Sequence, residues 1–145
     1  MSYTPLEQKL ISGLQGFAAV TALVGQNIFN EQLPQGLLSS SSPGRVLTIK
    51  RVSTLSYRTM DANITTLVAV RIQFTAWSNT ASANLDVLSI MNALVAFLNQ
   101  FAAAGSANQA PNDVLNRFTA PYPQTQPPLW QGVLDTRIFN REDLT

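Results

Sequence analysis

Apolar and polar positions alternate most regularly in LVAVRIQFTAW, from Leu67 to Trp77. Val68, Val70, Ile72, Phe74 and Ala76 take one parity, and Leu67, Arg71, Gln73, Thr75 and Trp77 the other. This period of two predicts a strand with one apolar face. From Val87 the spacing changes. Leu88, Ile90, Met91, Leu94, Val95, Phe97, Leu98 and Phe101 follow at helical intervals, with Ser89, Asn92, Asn99 and Gln100 opposite. The spacing predicts a long helix lying on the sheet. Ser78, Asn79 or Thr80 is expected as its cap, with Asp86 near its positive end and Gly105 closing it. Full burial of the apolar side chains from Val87 to Phe101 would contribute roughly 15–25 kcal/mol gross, an upper bound before chain entropy.

Ahead of this pair, Thr4-Pro5-Leu6-Glu7 combines a capping threonine, a proline at the first helical position and a glutamate three residues after the cap. Leu6, Leu10, Leu14 and Phe17 then share one face of a short helix, which Gly13 and Gly16 weaken near its end. Ala18 to Val24 adds a turn or two, closed by Gly25 in a left-handed conformation, and Ile28-Phe29 forms a brief strand. NEQLPQGLLSSSSPG, residues 30–44, sustains neither period and is read as a loop. At that length it is either a plain connector or a functional or disordered segment.

Arg45 to Ser53 reads as a strand, with Val46, Thr48, Lys50 and Val52 on one side and Leu47, Ile49 and Arg51 on the other. Thr54 to Asn63 then forms the long tip of an antiparallel hairpin. Its Leu55, Tyr57 and Met60 either fold back on the sheet or meet another chain. Beyond the long helix, Val114, Asn116 and Phe118 suggest a short strand, and 119–129 a loop made extended and stiff by PYPQTQPP. That loop is either a rigid connector or a polyproline ligand. Trp130 to Arg141 alternates as a final strand. Asp135 and Arg137 share a parity with Val133 and Phe139, which an edge position or a subunit interface tolerates. Residues 1–145 thus read as one α+β domain, with a mostly antiparallel or mixed sheet on which a long helix and a shorter N-terminal helix pack.

Composition narrows the chemistry. There is no cysteine and no histidine, which removes thiolate chemistry and the commonest general base and metal ligand. Phosphate-cradling loops, dinucleotide fingerprints, nucleophile elbows and metal-ligand clusters are absent from the sequence. Asp61, Asp86, Asp113 and Asp135 are dispersed, so no catalysis and no cofactor or metal is expected. A net charge of +1 supplies no bulk attraction for nucleic acid. Lys50, Arg51, Arg58 and Arg71 could gather around the hairpin and meet phosphate or a neighbour's carboxylates, or simply be solvated. Charged residues make up only 12% of the chain, against 47 Ser, Thr, Asn and Gln residues, so the polar surface is mostly uncharged. Either the surface is merely low in charge, or much of it is covered by partner subunits, where charges are depleted. MSYTPLEQKL has no apolar signal core and the long helix carries polar residues, so neither secretion nor a membrane is expected, and the protein is expected in a cytoplasm. The Asn63-Ile64-Thr65 sequon then carries no meaning.

An N-terminal helix followed by TALVGQNIFNEQLPQG, PGRVLTIKRVS, VAVRIQFTAWSNTASANLDVLSIMNAL and WQGVLDTRIFNRE resembles the tail terminator, or tail completion, proteins of long-tailed bacteriophages. The ALVG turn with its following Ile-Phe, the strand ending in a tryptophan before a capped helix, and the closing strand carry the resemblance. Ser39 to Ser42 and PYPQTQPP depart from the usual pattern. The resemblance implies a virion protein of the head-proximal end of the tail, assembled in the host cytoplasm as a ring, usually a homohexamer. The ring stops growth of the tail tube and forms the joint to the head. Its implied partners are further copies of the chain, the tail tube protein and a head–tail connector or stopper, with DNA passing through without sequence-specific binding. Interface candidates are Leu55, Tyr57, Arg58 and Met60 at the hairpin, Lys50, Arg51 and Arg71 beside it, and Tyr122 and Trp130 around the second loop. Two alternatives stay open: another head–tail joining component, such as a stopper or adaptor, or a module binding a small ligand or nucleic acid through Arg45, Lys50, Arg51 and Arg58.

Overall fold

The alternation centred on Phe74 becomes the middle of a five-stranded sheet. The computed structural model describes residues 5–31, 44–57, 65–80, 82–101, 113–122 and 129–143. In chain order the elements are α1 (Leu6–Gln15), α2 (Ala18–Val24), β1 (Ile28–Asn30), β2 (Arg45–Tyr57), β3 (Thr65–Ser78), α3 (Ala83–Gln100), β4 (Asp113–Tyr122) and β5 (Leu129–Asp143). The strands lie in the order β1-β2-β3-β5-β4. All neighbours are antiparallel except β1 and β2, so the sheet is mixed and the domain is α+β.

Val70, Ile72, Phe74 and Ala76 of β3 are all fully buried. Their partners in the ladder, Ile49 and Leu47 on β2 and Ile138 and Leu134 on β5, extend the same apolar face. All three helices pack there. Leu6, Leu10 and Leu14 of α1, Val20 and Val24 of α2, and Val87, Ile90, Leu94, Phe97 and Leu98 of α3 join those sheet residues in one core. Phe97 anchors it. Its ring meets Phe17 edge-on at 5.5 Å and stacks on Phe101 at 5.1 Å. Two glycines allow close approach, Gly13 between α1 and α3 and Gly132 between β5 and α3. A Cβ on Gly13 would stand 3.0 Å from the Phe97 ring, and one on Gly132 would stand 2.5 Å from Met91 Sδ.

Several expected boundaries move, each for a physical reason. The hairpin ladder runs on to Tyr57, where Leu55 and Tyr57 pair with Ala69 and Leu67 instead of lying in a tip. A bulge between Arg51 and Ser53 shifts the register and breaks the alternation that ended the sequence-derived strand. α3 starts at Ala83 with Ser82 at its cap position, because Ser78 is still paired in β3. The Ser78 and Thr80 hydroxyls instead donate to Asp86 Oδ2, the former at 3.0 Å. The helix ends at Gln100, ahead of Gly105, which lies outside the described residues. Leu88 is 42% exposed, so the buried stripe of α3 is narrower than the run of apolar letters.

α1 begins one residue later than expected, with Pro5 in the cap position; Thr4 lies outside the described residues. Gly25 has the expected positive φ of 61°, but its ψ of −129° belongs to a turn, not to a left-handed helical cap. β4 is ten residues long and includes Pro121 and Tyr122, which were expected in the loop. It is the sheet's edge, where a proline nitrogen is tolerated. β5 is an interior strand, not an edge. Its core-facing row contains Thr136, fully buried with its hydroxyl donating to the Ile72 carbonyl at 2.9 Å, and this polar letter blurs the alternation.

Candidate assembly surface

With the helices on one face of the sheet, the opposite face and the two edges carry the remaining side chains. Along the opposite face of β3 the character changes from one end to the other. Trp77 is half-buried and its Nε1 donates to Thr48 Oγ1 at 3.1 Å; Thr48 and Thr75 are buried beside it. Farther along come Gln73 and Arg71. The Arg71 guanidinium donates to both carboxylate oxygens of Asp135, with Nε at 3.0 and 3.1 Å. The hydrogen bond to Asp135 and its negative charge push the Arg71 pKa up from its ordinary value. The cation is therefore held, although its side chain is 49% exposed.

The basic residues named from the sequence are divided between faces. Lys50 is exposed and opposite Gln73, on the face of Arg71. Arg51 points the other way and joins Glu7 of α1 through two bonds, Nε to Oε1 at 2.5 Å and Nη2 to Oε2 at 3.2 Å. With Thr54 Oγ1 also accepting from it at 3.1 Å, Arg51 ties α1 to β2. Arg45 lies 3.9 Å from Asp86 at the start of α3. Trp130 is half-buried against the core at the start of β5, opposite Ser78. Tyr122 ends β4, paired with Leu129. Arg58 and Met60 lie outside the described residues, and Leu55, Tyr57 and Tyr122 are placed by their backbones alone.

Among the described residues, the sequence reading missed several exposed apolar side chains on α3 and β4. Leu85 and Leu88 on the outer side of α3 are 64% and 42% exposed, and Val114, Leu115 and Phe118 of the edge strand β4 are 41%, 46% and 48% exposed, with Phe118 in the row of Val133 and Thr75 on the face without helices. Between the two elements is a groove of about 340 Å³ lined by Leu88, Met91, Asn92, Arg117, Phe118 and Thr119. This arrangement suits contact with another macromolecule better than capture of a small substrate, because apolar side chains border an open sheet edge. A signal for it was present. Val114 and Leu115 are adjacent, so no single face of a strand can bury both, and a bulge between Val114 and Asn116 marks the place. Among the described residues no group of three or more Asp, Glu, His or Cys could hold a metal ion. None of their helices is long and apolar enough to cross a membrane.

No family model matches the chain, and a search of curated proteins finds no match. Among solved structures, a chain of the virion of the native gene transfer agent particle shares the fold. Its TM-score is 0.58 at 12% sequence identity, and the match covers 94% of each chain. The likeness is thus one of fold across the whole domain, without appreciable sequence identity.

Proposed function

We propose that this chain is a structural protein of a phage-like virion and, within it, the ring-forming terminator of the tail tube. The observation that carries the reading is the match in fold, over 94% of both chains, to a component of a gene transfer agent virion. The ordering of sequence blocks supports the finer assignment, and the apolar edge at β4 and α3 supplies a surface of the kind an assembling subunit needs. On this reading the work is done by complementary surfaces: copies of the chain close a ring on the last tube ring, end tube growth and receive the head connector, and DNA passes through the ring.

Light scattering of the purified protein and electron micrographs of its mixture with tail tubes test this. Rings, and caps at one end of the tubes, are expected; a strict monomer that never associates with tubes overturns the proposal. A second reading, another head–tail joining component, rests on the same observation, because the matching structure is named as a virion without a position in it. Protein found one step nearer the head than the tube end would favour it. Binding of nucleic acid through Arg45, Lys50, Arg51 and Arg58 is less well supported, since Arg51 is engaged by Glu7 and Arg45 stands beside Asp86.

A further inference from the structure

The two edges of the sheet, β1 and β4, are matched in level, direction and chemistry. Following the ladders across all five strands, one row reads Phe29, Thr48, Thr75, Val133, Phe118. The next reads Asn30, Ile49, Phe74, Leu134, Arg117, and the one before it Ile28, Leu47, Ala76, Gly132, Thr119. The three residues of β1 therefore stand level with Arg117, Phe118 and Thr119 of β4. β1 is parallel to β2, and three antiparallel steps separate β2 from β4, so β1 and β4 run in opposite directions. Two copies in the same orientation, set side by side, bring these edges together as an antiparallel pair.

We infer that β4 of one copy pairs with β1 of the next, with Phe118 opposite Phe29 and Arg117 opposite Asn30 and beside Glu31. This deepens the ring reading above and rests on it. The chemistry of the rows agrees with the pairing. Phe118 is 48% exposed and Phe29 half-buried, both on the face without helices, so the contact makes a cross-strand aromatic pair. Arg117 and Glu31 are both exposed and bear opposite charges. Glu31 directly follows β1, at a positive φ of 72° and with its N–H donated to the Ile49 carbonyl at 2.6 Å. Between the bulge at Leu115 and Pro121, residues 116–120 form an uninterrupted stretch that can accept the neighbouring strand. The contact uses two different surfaces and needs no displacement along the strands, so repetition by rotation alone can close.

The absence of cysteine makes this directly testable. Opposed residues of an antiparallel pair have Cα atoms about 4.5–5.5 Å apart, within the range a disulfide spans. Phe29→Cys with Phe118→Cys, oxidised mildly at assembling concentration, is expected to give a ladder of covalent multimers on a non-reducing gel. Neither single variant should pass beyond dimer. Asn27→Cys with Phe118→Cys reports a pairing staggered by two residues, and a ladder from that pair in place of the first overturns the proposed register. Assembly seen by light scattering without a ladder from the first pair overturns the interface while leaving the ring reading intact; a strict monomer at every concentration overturns both. A charge swap at the exposed pair gives a check that does not depend on introduced thiols. Arg117→Glu should weaken assembly several-fold and Glu31→Arg in the same chain should restore it, whereas failure to restore counts against the contact.

Discussion

The two faces of β3 are built on different terms. On the helix side Val70, Ile72, Phe74 and Ala76 are fully buried, and each touches other apolar groups in one continuous core. On the other side Trp77, Thr75 and Arg71 are held singly, by a hydrogen bond, a neighbouring threonine or a carboxylate. The first face draws its stability from area removed from water and admits a polar group only when, like Thr136, it is hydrogen-bonded. The second consists of local pairings, each worth little alone and replaceable in kind. Such a face can change under selection for a partner without endangering the fold.

Substitutions on the two faces should separate accordingly. Phe74→Asp or Leu94→Asp places a carboxylate at a fully buried site, and loss of the folded state is expected, because the cost exceeds about 4–5 kcal/mol against a typical total of about 5–15. Circular dichroism and denaturant titration would show it; a cooperative transition near that of the parent would break the distinction. Gly132→Ala tests how closely α3 is pressed on β5. It should cost about 1–3 kcal/mol, and combined with Met91→Ala the loss should be less than the sum of the two single losses. Glu7→Ala removes the partly buried partner of Arg51 and should cost about 1–2 kcal/mol in the same titration, loosening α1 first.

Tyr57→Ala sharpens the contrast from the other side: a normally stable protein that assembles poorly is expected, and normal assembly would remove the hairpin from the candidate contacts. The smallest effect is reserved for Asp135→Asn. Its partner Arg71 is exposed, so a slight drop in melting temperature at low salt should vanish at high salt. The raised pKa of Arg71 keeps its side of the pair charged through the neutral range, and that contribution is lost as pH rises into strong alkali.

What the sequence made legible follows the same division. The core parity of β3 and most of the stripe of α3 were readable from hydrophobic period, and α2 with the brief β1 from the Gly25 turn between them. The far end of β2 was not, since a bulge reverses parity and ends the pattern before the strand ends. β5 was recognised as a strand, and of the two settings offered for its mixed parity, an edge position or a subunit interface, the edge is wrong, since it lies between β3 and β4. Asp135 suggested exposure, and only the three-dimensional pairing with Arg71 across the sheet accounts for it. Among the candidate contact residues, Arg51 shows the limit best: a cation in a strand reads as surface until a glutamate 44 positions away is folded against it. Phe118 was assigned to a strand, but its exposure depends on strand order, which periodicity does not encode.

The long β2, β3 and β5 carry a mechanical consequence. Their ladders are continuous from Arg45 to Tyr57 against β3, and from Thr65 to Ser78 against β5, interrupted only by the single bulge in β2. A pull along these strands loads many backbone hydrogen bonds at once, in shear, whereas a pull across the sheet opens them one after another from an end. The domain is therefore stiffest along its strand axis and most easily peeled at β4 or β1. If copies of the chain close a ring through those two edges, as proposed, the weak direction of the subunit disappears into it, and a tension that would unzip an isolated copy is shared around the circle.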